Sequence, residues 1–410
     1  MGTPCSSIVA CRLIVGRHPM GGNGSPTTPG VDFVETLTSR RRGTGSYHRD
    51  VPIPHRRRRR GVVPVRSTRW QAIGSVGLVD TPSPQAGPHD VVLDVGACGI
   101  CGSDVHAFAE GAWISAGDPM GHEFAGTVSA VGAQVSTFAV GDRVAVNPMG
   151  PCGSCPQCAG GSSNLCEDPA HSSFGGLGDQ VLVAHAESGA RLFRLPDAMS
   201  FEEGAFLEPL SVAVRAVRCA GPDLAAPIVV AGLGSIGQCV VRVLRAYGAG
   251  DVVGIDVSTP RLEVAEAVGI DVLDARAGDV TAALLRRWGT SDSPYQPGSG
   301  NAATFFECSG AQPMINAATA VTRAGGTVAL TGLSGHRPGV DLDTVVQKEL
   351  RLRGTFAYTG DDATEAFRLL ESGAVDVAPL VTHRIPLSRV GEAFTAQHAT
   401  DGSVKVVVLP

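Results

Sequence analysis

Three groups of residues in this 410-residue chain have types and spacings that could do chemistry. The first is "CGSCPQCAGGSSNLC", which sets Cys152, Cys155, Cys158 and Cys166 in the pattern C-x2-C-x2-C-x7-C. Four thiolates on one short loop can close a tetrahedral shell around zinc with no open position, so such a site staples a lobe and does not react. A redox pair or an iron–sulfur cluster is the alternative. The second group is dispersed. "CGICGSDVH" offers Cys101, "GHEF" offers His122 and Glu123, and "LEPLSVAV" offers Glu208, an acid in an apolar segment. A catalytic zinc needs fewer protein ligands and one exchangeable position. Taken singly, His122 reads as a core histidine, Glu208 as an acid paired with a cation, and Cys98 with Cys101 as a redox pair. Taken together they read as one metal centre, with Cys98 as a small core residue. No role falls to Cys5, Cys11, Cys219, Cys239 or Cys308.

The third group is "GLGSIG", with Gly232, Gly234 and Gly237 spaced G-x-G-x-x-G. The apolar strand "APIVVAGLG" precedes it, and a helix follows with Ile236, Val240, Val243 and Tyr247 at helical spacing. In that context the first glycine allows a tight turn, the second admits a pyrophosphate, and the third lets helix pack on strand. The helix N-terminus, Ser235 and Ile236 included, then presents free N–H groups to phosphate. Asp256 ends the next strand, where a carboxylate can accept from a ribose diol and repel a 2′-phosphate. This predicts NAD over NADP, with Arg261 close enough to soften the preference.

The elements that must hold these groups are legible from periodicity. Up to about residue 210 the chain reads as β segments and glycine turns, among them "VVLDV", "GTVSAVGAQV" and "GDRVAV". From about 227 to 356 strand and helix alternate, which predicts a parallel, doubly wound sheet. A helix, "DDATEAFRLLESG", and a strand, "VKVVVLP", close the chain. The fold class is therefore α/β, a β-rich lobe plus a doubly wound one. The expected division is 1–64 leader, 65–210 catalytic domain, 211–356 dinucleotide domain, and 357–410 return to the catalytic domain.

Residues 1–64 carry Arg40–Arg42 and Arg56–Arg60 among scattered Gly, Pro, Ser and Thr, and are expected to be disordered. The preferred reading is upstream sequence outside the working protein, with Val65 as a start. A basic arm for nucleic acid and a targeting peptide are the alternatives. The net charge of −6 gives no whole-protein case for nucleic acid or anionic lipid, and no apolar run is long enough for a membrane span. Eleven clustered cysteines favour metal ligation in a reducing compartment over a disulfide framework. With no secretory signal, a cytoplasmic location is expected.

From about Val65 to Pro410 the chain resembles the zinc-dependent medium-chain dehydrogenases of the alcohol and polyol type. The matching motifs, in the family's order, are "GICGSDVH", "GHEFAG", "GDRV", the four-cysteine lobe, "EPLSVAV" and "GLGSIG". The resemblance implies a GroES-like β domain holding two zinc ions and a Rossmann domain inserted before the chain returns. It matches Cys101 and His122 to catalytic zinc ligands. Glu208 stands where other alcohol dehydrogenases carry a cysteine ligand, a trait of the sorbitol, butanediol and threonine dehydrogenase branch. Glu208, Glu123 or water then completes the shell. Asp104 matches a carboxylate that orients the zinc-bound histidine, and Ser103 with His106 match a proton relay. "TGLSG", including Gly332 and Leu333, would line the nicotinamide pocket. The implied activity is hydride transfer between a secondary alcohol, polyol or vicinal diol, and NAD in a homodimer or homotetramer. An amino-alcohol such as L-threonine is the alternative substrate, and a non-enzymatic NAD- and zinc-binding regulator the alternative class. Two segments depart from the family: "AHSSFGGLGDQVLVAH", which helps shape the substrate cleft, and the long link "WGTSDSPYQPGSGNA".

Overall fold

The computed structural model describes residues 64–410 except Pro169, His336, Thr400 and Asp401. The expectations for residues 1–63, the arginine runs included, lie outside the described residues.

Six parallel strands form one sheet in the spatial order Asp271–Asp274, Val252–Asp256, Ile228–Ala231, Ala302–Glu307, Thr322–Leu330 and Arg351–Gly354. Numbered along the chain within this sheet, that order is 3-2-1-4-5-6, the doubly wound arrangement with its switch point beside the first strand. Ile228–Ala231 is apolar throughout because both faces are covered. Ile228 and Val230 enter one core with Val240, Val243 and Leu262. Val229 and Ala231 enter another with Val280, Leu284 and Ala317.

The remaining sheet has seven strands. Its path runs Val381–Pro386, Lys405–Leu409, Val91–Gly99, Glu123–Val131, Arg143–Val146 and Leu192–Arg194, and Gln180–Val183 also pairs with Val91–Gly99. Its pairings are antiparallel except that between the two C-terminal strands. A separate hairpin, Pro64–Ala72 with Ser75–Pro82, precedes it. The chain thus leaves this sheet, builds the parallel one, and returns to place its last strand against Val91–Gly99.

One helix belongs to both lobes. Leu207–Ala220 buries Leu210, Ala213 and Val214 in a core cluster shared with Ala125 and Ala145 of the seven-stranded sheet and with Val240 and Leu244 of the helix Ser235–Ala246. Its other end stops at Gly221, which adopts the left-handed backbone that favours glycine.

The turn from Ile228–Ala231 into Ser235–Ala246 explains two of the sequence's glycines. Gly232 has φ +88, and a Cβ on Gly237 would stand 1.8 Å from the Gly232 carbonyl oxygen. Gly237→Ala is therefore expected to force the turn open at a cost of about 1–3 kcal/mol. Chemical denaturation should show that loss, and a fluorescence titration should show weakened dinucleotide binding.

Candidate active site and metal centres

The helix Gly102–Glu110 begins directly after Cys101, and Asp104 in its first turn accepts the Cys101 backbone N–H at 3.1 Å through Oδ2. The same oxygen lies 3.7 Å from His122 Nδ1. His122 is delivered by the turn after Gly121, whose φ of +90 and tight approach to Leu177 and Cys98 leave no space for a side chain. Glu123 opens the strand Glu123–Val131. Donor atoms of Cys101, His122 and Glu123 lie within 4.8 Å of one another, a group of thiol, imidazole and carboxylate that could hold a metal ion.

Glu208 is not in that group. It lies buried in the first turn of Leu207–Ala220, near enough to His122, Glu123 and Lys405 to feel their charges. Burial pushes it up to about 7, opposed by His122 and reinforced by Glu123. The Tyr358 hydroxyl interacts with it electrostatically but stands outside hydrogen-bonding geometry. Both oxygens of Glu123 accept from Lys405 Nζ, at 2.6 and 2.8 Å, and the same ammonium donates to the Ile100 carbonyl at 3.1 Å. This cation was the missing member of the sequence reading: the buried acid that pairs with a lysine is Glu123, and the lysine comes from the final strand. A lone lysine in "SVKVVVLP" was the available signal.

Burial also raises Asp104, against the pull of His122 and the Cys101 backbone. For His122 burial acts downward, yet Asp104, Cys101 and Glu208 outweigh it and hold the imidazole well above its ordinary value. Three carboxylates and a thiol thus crowd a buried region whose one fixed cation, among the described residues, is Lys405. That donor set and charge excess fit a divalent zinc.

The four cysteines come together as their spacing predicts. Their sulfurs lie within 4.8 Å of one another, and Cys155 and Cys166 are 3.9 Å apart. Backbone N–H groups of Cys152, Cys155 and Asp168 point at the sulfurs. Backbone donors pull Cys152 down to about 6, while burial and neighbouring sulfurs push Cys158 up to about 12. Four thiolates here need a cation, and the set fits a closed zinc site. The lobe also reaches the cleft: Asn164 Nδ2 donates to the Phe356 carbonyl at 2.8 Å.

Ser103, Asp104 and His122 line a cleft of about 690 Å³ together with Leu333. His106 is not on that lining; its Nδ1 lies 3.2 Å from Glu110 Oε1, and its ring meets Trp113 edge-on. Gly332 and Leu333 follow the strand Thr322–Leu330, and Leu333 is half exposed. At the dinucleotide turn, Asp256 accepts the N–H of Leu233 at 2.6 Å and those of Val257 and Ser258 at 2.8 Å. Its carboxylate is therefore fixed by backbone before any ligand arrives. Gly234, Ser235 and Ile236 start the following helix, with Gly234 as its N-cap. Arg261 donates to the Ser403 carbonyl at 2.8 Å and stands 4.0 Å from Asp256.

Comparison with known proteins agrees with this geometry. Residues 87–197 match the alcohol dehydrogenase GroES-like domain, and residues 235–372 match the zinc-binding dehydrogenases. The sorbitol dehydrogenase of Gallus gallus is 34% identical over 349 residues, 82% of this chain and 93% of its own. The D-xylulose reductase of Saccharomyces cerevisiae is 33% identical over 344 residues, covering 82% of this chain and 95% of its own. Among solved structures, a zinc-binding dehydrogenase from Sinorhizobium meliloti 1021 with NADP bound is similar at a TM-score of 0.74 and 29% identity, over 85% of this chain and 99% of that one. The chain belongs to the zinc-dependent alcohol dehydrogenase family, with a GroES-like and a Rossmann-type lobe, and is an oxidoreductase of that family.

Removing one member of the buried ion pair strands the other. Lys405→Met is expected to cost about 3–5 kcal/mol, and adding Glu123→Gln should recover most of it. Urea unfolding of the two single variants and the double variant measures both effects.

Proposed function

We propose that this protein oxidises a secondary alcohol, a polyol or vicinal diol, by hydride transfer to NAD. The supporting observation is that one cleft is lined both by the metal-donor side, through Ser103 and His122, and by the cofactor sheet, through Leu333. The sorbitol dehydrogenase and D-xylulose reductase relatives support the substrate class.

Cys101 and His122 would hold the catalytic zinc, with Glu123 or Glu208 completing the protein ligands. Once bound there, zinc supplies Lewis-acid polarisation that lowers the pKa of an alcohol oxygen. The dinucleotide supplies the hydride acceptor. Everything else falls to the chain's own residues. Asp104 orients His122. Ser103 hydrogen-bonds the substrate oxygen and takes its proton, and His106 passes it towards solvent with Glu110 as its partner. Gly232, Gly234, Ser235, Ile236 and Gly237 cradle the pyrophosphate at the helix N-terminus. The prefixed carboxylate of Asp256 receives the ribose diol, which favours NAD, and Arg261, held by Ser403 and 4.0 Å from that carboxylate, softens the preference. Gly332 and Leu333 bound the nicotinamide. Cys152, Cys155, Cys158 and Cys166 would hold the second, structural zinc.

We place the lobes at 65–210 with 357–410, and at 211–356, since all six strands of the doubly wound sheet fall between 228 and 354. No helix among the described residues is long and apolar enough to cross a membrane. The family resemblance supports a cytoplasmic homodimer or homotetramer, which sedimentation will size.

Cys101→Ser and His122→Ala are expected to lower turnover at least about a hundredfold while cofactor affinity stays within about threefold. Steady-state rates and cofactor titration on zinc-assayed protein test this, and retained turnover refutes the assignment. Cys155→Ser should drop bound zinc from two ions per chain to one and lower the melting temperature. Elemental analysis with a thermal melt checks it, and an unchanged melt refutes the structural role.

A further inference from the structure

The cleft's lining is unlike what a long polyol needs. Trp113 is 75% exposed, Phe356 58%, and Phe174 53%, and all three border the cleft, as do Ile114 and Ala107. Large apolar side chains left this open around one concavity mark a ligand surface. The two carboxylates on the lining each already accept a backbone N–H. Asp118 Oδ2 accepts the Ser115 N–H at 2.8 Å. Asp104 is taken by Cys101 and faces His122. Beyond Ser103 and His122, the indole of Trp113 is the one further side-chain N–H or O–H donor among the described lining residues. A polyol's remaining hydroxyls would leave water here with few replacement partners, each loss costing about 1–3 kcal/mol. An apolar flank would instead gain about 25 cal/mol per Å² on leaving water.

The backbone also aims this surface. Trp113 has φ +56 and Ala357, next to Phe356, has φ +48. A bulky residue in the left-handed region is an outlier, and such strain concentrates at ligand sites. Here it turns the indole over the cleft and edge-on to the His106 ring, with ring centroids 6.1 Å apart.

We propose that the substrate is a secondary alcohol or vicinal diol bearing an apolar flank, aryl or branched alkyl, beside the reacting carbon, and that Trp113 and Phe174 select it. The inference rests on the dehydrogenase reading above and narrows it. The carbinol C–H gives its hydride to NAD, the hydroxyl proton leaves through Ser103, and the products are a ketone, NADH and one proton.

The test compares kcat/KM for 1-phenyl-1,2-ethanediol, 2,3-butanediol, xylitol and sorbitol with NAD and the zinc-loaded full chain. The phenyl diol is expected to exceed xylitol by about tenfold or more. Trp113→Ala and Phe174→Ala should each shrink that ratio about fivefold or more, chiefly through the phenyl diol. Xylitol or sorbitol equalling the phenyl diol overturns the inference and leaves the dehydrogenase reading in place. So does a variant that scales all four substrates alike, or one that splits the oligomer without moving the ratio, which would make the rim a subunit contact. Silence on every alcohol overturns the dehydrogenase reading and this inference with it.

Discussion

The contact between Lys405 and Glu123 closes the molecule. The lysine comes from the final strand and the acid from the motif that opens Glu123–Val131, so the pair is possible only after the chain has built the parallel sheet and returned. Both side chains are almost wholly buried. A buried ion pair contributes little net stability against an apolar alternative, but breaking it leaves a charge in a medium that cannot solvate it. Such a pair acts as a registration device. It tells the last strand where to stop, and it fixes Glu123 beside Cys101 and His122.

The second constraint is the shared core. Leu207–Ala220 contributes apolar surface to both lobes, so the metal-donor group and the cofactor sheet are held by one packed interior. Close-packed interiors have low compressibility and transmit strain. Glu208 rides on this helix, which makes its distance from Cys101 and His122 a readout of how the lobes are set against each other.

Much of this was legible in the sequence, and the boundary follows a physical rule. Contiguous motifs read well: the four cysteines, the glycine turn before Ser235–Ala246, and the alternation of strands and helices from 228 to 354 each depend on neighbours along the chain. Long-range partners did not read. Lys405 is 282 residues from Glu123, and no local pattern links them. The cleft's apolar character was hidden for the same reason, since Trp113, Phe174 and Phe356 come from three separate loops. Asp256 stood between the two cases. Its position at a strand end is local, but its carboxylate is held partly by Leu233, 23 residues earlier.

The hydrogen bond from Asn164 to the Phe356 carbonyl gives the four-cysteine lobe a second meaning. Asn164 lies in the short turn Ser163–Leu165, directly before Cys166, so the four-cysteine lobe is tied to the segment that carries Phe356, one wall of the cleft. Loosening that lobe would therefore reach the Phe356 wall of the cleft through one hydrogen bond whose partners are 192 residues apart in sequence.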